Sequence, residues 1–406
     1  MFGTSFGSLI ALVLSPVITR LFDPASFGAF TVLTSVAIVL TPILSLRLEL
    51  AVPLPKHETS AWALLHAGLV ASLLNAALLS TLFAAVSHKM LDGAVGDWLW
   101  VTPIMAAAMA VFSILNAMAI RHLRYRAIAR RNVLMALSSL GFQIAAGLMG
   151  YGVGGLVLGF ALGQIVGAAS LLYGAGLLSP YAREGRHADF ILATLNRYRR
   201  VPTLLAFAGL INVLGLQAPI FLLARFFDTD VVGWFGLTQR VLAMPMTLVG
   251  MAVAQVYLGE LAGIRRGATG GESRYFYRAS AALLAAGTVC GGIVILLAPP
   301  IFGLVFGSDW EQSGHYARAL AISIVAQFVA SPLSQTLIVY ERATLQFGWD
   351  CFRLTAVTSA ITGPALMGMT AGQTIWILGG ISALTYAISW DLSRRTTTVS
   401  RRMSAA

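Results

Sequence analysis

Apolar runs of about twenty residues, the length a helix needs to cross a bilayer core, recur twelve times along this 406-residue chain. They fall at roughly 3–19, 27–46, 61–86, 98–120, 132–150, 153–178, 203–224, 231–257, 279–300, 315–338, 348–369 and 372–391. In hydrocarbon every backbone polar group must be satisfied inside its own segment, so the runs read as helices and the chain as an all-α integral membrane protein. Composition agrees, because 58% hydrophobic and 11% charged residues leave too little polar surface to cover a soluble domain of this length. Outward loops are expected to be short, the largest being about 15 residues between the ninth and tenth runs.

A motif divides the chain. Arg20-Leu-Phe22-Asp23-Pro-Ala-Ser-Phe-Gly28-Ala-Phe30 returns 205 positions later as Arg225-Phe-Phe227-Asp228-Thr-Asp-Val-Val-Gly233-Trp-Phe235, the shared pattern being R-x-F-D-x4-G-x-F. Each copy follows one apolar run and opens the next. Six runs separate the copies, and an even number preserves direction, so the halves are parallel repeats. The expected division is a six-helix bundle at 1–185, a basic cytoplasmic linker at 186–199 and a second six-helix bundle at 200–406. Gly96-Asp97-Trp98 and Gly307-Ser-Asp309-Trp310 form a weaker echo at the fourth and tenth runs.

Within the motif, Asp23 before Pro24 is a good N-cap, and Asp228 or Asp230 serves the second copy likewise. Arg20 and Arg225 are placed to bond the carbonyls that end the preceding helix. Gly28 and Gly233 allow close helix approach, and substrate contact is the competing reading of the motif. Gly150-Tyr-Gly-Val-Gly154 is so tight that the fifth and sixth runs form a hairpin. Gly155, Gly159, Gly163 and Gly167 share one face of the sixth, a groove for a neighbouring helix.

The net charge of +11 does not mark a nucleic-acid binder, because most of the 27 Lys and Arg cluster after even-numbered runs. The groups are Arg121, Arg124, Arg126, Arg130 and Arg131; Arg183, Arg186, Arg197, Arg199 and Arg200; Arg265, Arg266, Arg274 and Arg278; and Arg394, Arg395, Arg401 and Arg402. Positive residues stay on the cytoplasmic side, which puts both termini there. Contact with anionic lipid headgroups accounts for these groups. Cys290 and Cys351 lie within runs and read as small packing residues. The first run starts almost at Met1, without a basic lead or a cleavage site, so a short cytoplasmic lead is expected to be missing.

Ionisable and strongly polar residues inside the runs are the functional pointers, since placing them there is costly. Gln239 and Arg240 lie a third of the way into the eighth. Arg47 and Glu49 end the second. Asp350 and Arg353 are three apart on the eleventh, hence on one face, and fit either an ion pair or a proton site. Ser323, Gln327, Ser331, Ser334 and Gln335 follow helical spacing on the tenth and should line a cavity or bond a neighbouring helix, and Pro332 opens a carbonyl among them. Thr34, Thr41 and Ser45 make a thinner stripe on the second, and Gln143 is an isolated polar point. The six histidines lack metal-ligand spacing and no P-loop is present, so neither catalytic residues, metal nor cofactor are expected.

Several segments resemble polysaccharide flippases, the Wzx-type O-antigen translocases of the MATE-like (MOP) superfamily. They are Arg20 to Phe30, Arg121-His-Leu-Arg-Tyr-Arg126, Gly152-Val-Gly-Gly-Leu-Val-Leu-Gly159, Val232 to Pro245 with Gln239-Arg240 inside it, and Phe306-Gly-Ser-Asp-Trp310. The resemblance implies twelve transmembrane helices in two parallel-repeat bundles around a cationic cavity. It also implies flipping of undecaprenyl-pyrophosphate-linked oligosaccharide in the bacterial inner membrane, alongside polymerase and glycosyltransferase partners of the same pathway. Arg240, Gln239, Gln327, Ser331, Gln335, Arg47 and Arg353 would bind substrate, and Asp350 and Glu49 would couple an ion. A multidrug or cation antiporter of the same fold is the alternative, though its cavity would favour carboxylates. A membrane polymerase or ligase would need a long outer loop.

Overall fold

The computed structural model describes residues 2–90, 93–174, 188–198, 200–245, 249–267 and 271–404. The chain divides into two compact units, Met1–Gln217 and Ala218–Ala406. All regular structure among the described residues is helical. The first unit carries α1 (Phe2–Val13), α2 (Ser15–Leu21), α3 (Pro24–Leu44), α4 (Glu58–Met90), α5 (Ala94–Trp98), α6 (Thr102–Arg121), α7 (Tyr125–Leu148), α8 (Gly152–Gly174) and α9 (Ala188–Tyr198). The helix α10 (Arg200–Phe226) straddles the division. The second unit continues with α11 (Thr229–Pro245), α12 (Met251–Gly267), α13 (Glu272–Phe306), α14 (Glu311–Leu333), α15 (Gln335–Val339), α16 (Ala343–Leu366) and α17 (Ala371–Ser404).

In order these helices cover the twelve apolar runs. Among the described residues, eight are long and apolar enough to cross a membrane. The other four are broken or more polar: α1 and α2 part at Leu14, α7 carries Arg126, Arg130 and Arg131, α11 ends at Pro245, and α16 holds Asp350 and Arg353.

Three expectations need correcting. The loop between the ninth and tenth spans is closed to Gly307, at φ +110°, and one 3-10 turn, Ser308–Trp310, because α13 runs on to Phe306. The basic segment after the fourth span is a three-residue turn, so Arg126, Arg130 and Arg131 ride on α7 itself. Residues 188–198 of the expected linker form α9, whose Leu195 and Tyr198 pack on the core around Leu48, Trp62, Leu115 and Leu171. Arg183, Arg186 and Arg199 lie outside the described residues.

The motif at Asp23 behaves as a helix start. The Asp23 carboxylate accepts from the Ser26 backbone N–H at 2.6 Å, with Pro24 in the first turn. Gly28 and Gly233 are both buried. Arg20 and Arg225, by contrast, are exposed and bond no helix-end carbonyl among the described residues, and Arg225 lies over its neighbour Phe226. The preceding carbonyls are met by backbone N–H groups instead, as Phe22 and Phe227 donate to Ile18 and Leu223.

Two turns recur between the units 218 positions apart, a repetition not read in the sequence. Leu123 and Glu341 both sit at φ +56°, and the following arginines, Arg124 and Arg342, each return a 2.8 Å bond to a carbonyl five residues back. Leu148-Met-Gly150 and Leu366-Met-Gly368 end α7 and α16 alike, the glycines at φ +75° and +73°. Both are helix C-terminal turns that use the left-handed region glycine enters freely.

The glycine face of α8 is a packing groove. A methyl at Gly155 would sit 2.6 Å from Ala146 and one at Gly159 2.7 Å from Gln143, while Gly163 faces Ser139 and Gly167 faces Met135. The partners step back along α7 as the glycines step forward along α8, the signature of an antiparallel hairpin. Gln143 reaches across it to donate to the Leu156 carbonyl at 2.9 Å.

Candidate functional site

In the first unit α3 ends abruptly. Leu46 and Arg47 both adopt positive φ, +49° and +55°, which is unfavourable for residues with a Cβ and costs about 1–3 kcal/mol each. This break aims Arg47 at the backbone of Gly209 on α10, where a Cβ would collide with its guanidinium. Arg47 pairs loosely with Glu49 at 3.6 Å, and both side chains are largely buried. The Arg47 Nε and one Glu49 carboxylate oxygen have no hydrogen bond among the described residues.

In the second unit, α11 and α14 run side by side in one direction. Trp234 Nε1 donates to the Asp309 carbonyl and the Thr238 hydroxyl to the Ser313 carbonyl, at 2.8 and 2.7 Å. Phe235, Thr238 and Leu242 are buried on that face. Arg240 lies two residues from Thr238, about 200° round the helix, and so points away from it. Gln239 and Arg240 are half-buried and make no hydrogen bond or ion pair among the described residues.

Gln327 lies about three turns, roughly 18 Å, further along α14 than the level of Arg240. Two serines of the stripe satisfy themselves, Ser323 bonding the Leu320 carbonyl and Ser334 that of Ser331. Gln327 and Gln335 are half-buried, Ser331 is exposed, and neither amide bonds a neighbouring helix among the described residues. Thr34, Thr41 and Ser45 bond back to their own helix, so the stripe on the second span needs no cavity to account for it.

Asp350 and Arg353 are 5% and 6% exposed, with Arg353 Nη2 3.5 Å from Asp350 Oδ1. Gln346 donates to the other carboxylate oxygen at 3.4 Å. The guanidinium lies 4.8 Å from the centre of the Trp349 ring, and Trp349 is fixed by donating to the Thr385 carbonyl and packing on Tyr386. The pair is thus a built group near the Glu341 turn, as is the Gln327–Gln335 stripe, while Arg240 lies near the Gly307 end.

Several basic residues are tied to groups of the protein itself. Arg121 donates to Glu58 at 2.9 Å and to the Pro53 and Pro55 carbonyls, and His122 lies 3.0 Å from Glu58. Arg265 bonds the Val339 carbonyl and lies over Tyr340, and Arg394 and Arg395 share Asp391. Cys290 is exposed rather than packed.

A family model described as polysaccharide biosynthesis protein matches residues 17–315. The chain belongs to the polysaccharide biosynthesis protein family. It is 26% identical to the succinoglycan biosynthesis transport protein ExoT of Rhizobium meliloti (strain 1021), over 96% of this chain and 78% of that protein. The fold is shared with lipid II flippase MurJ in its inward closed conformation, at a TM-score of 0.76 and 12% identity, covering 97% of this chain and 86% of MurJ. An inward-facing multidrug resistance MATE family transporter of the MOP superfamily superposes at 0.72 with 14% identity, over 97% and 96%. The chain thus has the MATE-like fold, and this member of the polysaccharide biosynthesis protein family is a multi-pass membrane protein.

Proposed function

We propose that this protein is a flippase, carrying undecaprenyl-pyrophosphate-linked oligosaccharide from the inner to the outer leaflet of a bacterial inner membrane by alternating access. The family match over residues 17–315 carries the reading. The names of two similar proteins support it, one a succinoglycan biosynthesis transport protein and the other a lipid II flippase. The protein makes and breaks no covalent bond in this role, and both termini are cytoplasmic by the distribution of positive charge. Its partners are the lipid-linked oligosaccharide and the polymerase and glycosyltransferases of the same pathway.

Arg240, Gln239, Arg47 and Arg353 serve the pyrophosphate and acidic sugars through charge-assisted hydrogen bonds, and Gln327, Ser331 and Gln335 serve sugar hydroxyls. Asp350 and Glu49 are the carboxylates placed to couple an ion. Depleting the protein should stop surface polysaccharide while lipid-linked repeat units accumulate on the cytoplasmic side, and re-expressing the full chain should reverse both. Unchanged polysaccharide, with loss of cationic dye export instead, would establish the antiporter reading in its place.

The stripe has its own test. Cysteines replacing Gln327, Ser331 and Gln335 should react with membrane-impermeant thiol reagents applied to inside-out vesicles, and cysteines at the buried Leu320 and Val329 should not. Equal labelling at all five positions would remove the stripe from the passage.

A further inference from the structure

We infer that Arg131, Asn132 and Gln164 form an anion-binding site inside the first unit, taking one small anionic group, either a halide or a phosphoryl group. Arg131 is 4% exposed, in the second turn of α7. Among the described residues, every group that its guanidinium meets is neutral. Nη1 donates to Asn132 Oδ1 and Nη2 to Gln164 Oε1 on α8, both at 2.9 Å, and the Phe112 ring of α6 lies 3.3 Å away with its face to the cation. No carboxylate pairs with it among the described residues. Every other deeply buried guanidinium in that set does better, since Arg353 has Asp350.

The unused groups define what is missing. Guanidinium has five N–H donors and no acceptor, and only two are engaged. Nε is fully buried and makes no hydrogen bond among the described residues. Both amides turn their oxygens to Arg131, which leaves their NH2 groups as further donors. The cluster therefore offers positive charge and N–H groups, and both amide oxygens already face the guanidinium. A buried cation without a counter-charge is strongly unfavourable, and an anion accepting from Nε and the spare N–H groups removes that penalty. Gly167, three residues beyond Gln164 on α8, keeps Nε clear: a Cβ there would lie 3.0 Å from it. The bound anion would draw α6, α7 and α8 together through one charge. This site lies in a different unit from Arg240 and does not depend on the transported substrate.

The test uses the purified full chain in nanodiscs of zwitterionic lipid, in gluconate buffer of fixed ionic strength. Chloride and inorganic phosphate are titrated separately, and a third sample replaces the free anion with an anionic phospholipid. Thermal midpoint and retention of radiolabelled chloride are read. A saturable rise in midpoint is expected with at least one source, as a ligand bound only to the folded state requires. A response to chloride or phosphate assigns the site to a free ion, and a response to the lipid alone assigns it to a headgroup. Gln164→Glu places a carboxylate on Nη2 and should weaken the anion response about tenfold or more, while melting no lower than wild type without anion. Arg131→Gln, neutral and able to bond both amides, should abolish the response. No saturable response from any source in the wild type, or an undiminished response in either variant, overturns the site.

Discussion

Cells carrying Arg240→Ala in place of the wild-type protein should lose surface polysaccharide, although the protein inserts at the normal level. Arg240 sits on an apolar helix, turned away from the α14 contact, with no carboxylate partner among the described residues. An arginine within a membrane span costs about 2.5–3.5 kcal/mol on insertion scales, so its retention there calls for an anionic partner. If that partner is the pyrophosphate, losing the contact should lower flux roughly a hundredfold, with lipid-linked repeat units building up inside. Arg240→Lys keeps the charge but loses the planar fork, and intermediate flux is expected. Wild-type polysaccharide in the Arg240→Ala strain at equal expression would take Arg240 out of transport.

Gly163→Leu should be the most damaging single change in the first unit. Even a methyl at this position overlaps Ser139 and comes within 3.0 Å of the Met135 carbonyl oxygen, so the α7–α8 hairpin has to part. Overpacking of this kind costs about 1–3 kcal/mol, and backbone on the facing side puts the change at the upper end. The purified variant should melt well below wild type or fail to accumulate. Gly141→Ala is the matched control, because α7 has nothing within 4 Å of that position. It should be neutral or gain about 0.5–1 kcal/mol from the better helix former. Equal melting of the Gly163 variant and wild type would show that the two helices are not packed through this groove.

Features that depend on one helix alone were legible in the chain. The apolar runs, the Asp23 cap, the Gly150 hairpin and the glycine face of α8 each need only local spacing and chemistry. The Asp350–Arg353 pairing followed from a three-residue separation. What escaped depended on partners far away in sequence. Arg131 looks like its neighbours Arg126 and Arg130 until Gln164 and Phe112 are seen around it. Arg121 looks like a headgroup anchor until the Pro53 and Pro55 carbonyls arrive. The one available signal for the Arg131 cluster was the adjacent Asn132, with Gln164 and Gly167 sharing a face of α8. On the tenth span Ser323 and Ser334 bond their own helix, while Ser331, Gln327 and Gln335 make no side-chain hydrogen bond among the described residues.

The doubled turns also record how the two units diverged. The copies stand 205 positions apart at Arg20 and Arg225, 212 at Trp98 and Trp310, and 218 at Leu123 and Glu341. The turns are shared, and the offset between the copies widens along the chain. The stretch from Trp310 to Glu341 is six residues longer than that from Trp98 to Leu123, more than one and a half turns of helix, or about 9 Å. That stretch is where Pro332 and Ser334 interrupt the helix and where Gln327, Ser331 and Gln335 cluster. Two identical halves can only treat both halves of a cargo alike. The second unit carries the longer, broken and more polar span, which suits a molecule whose two ends differ.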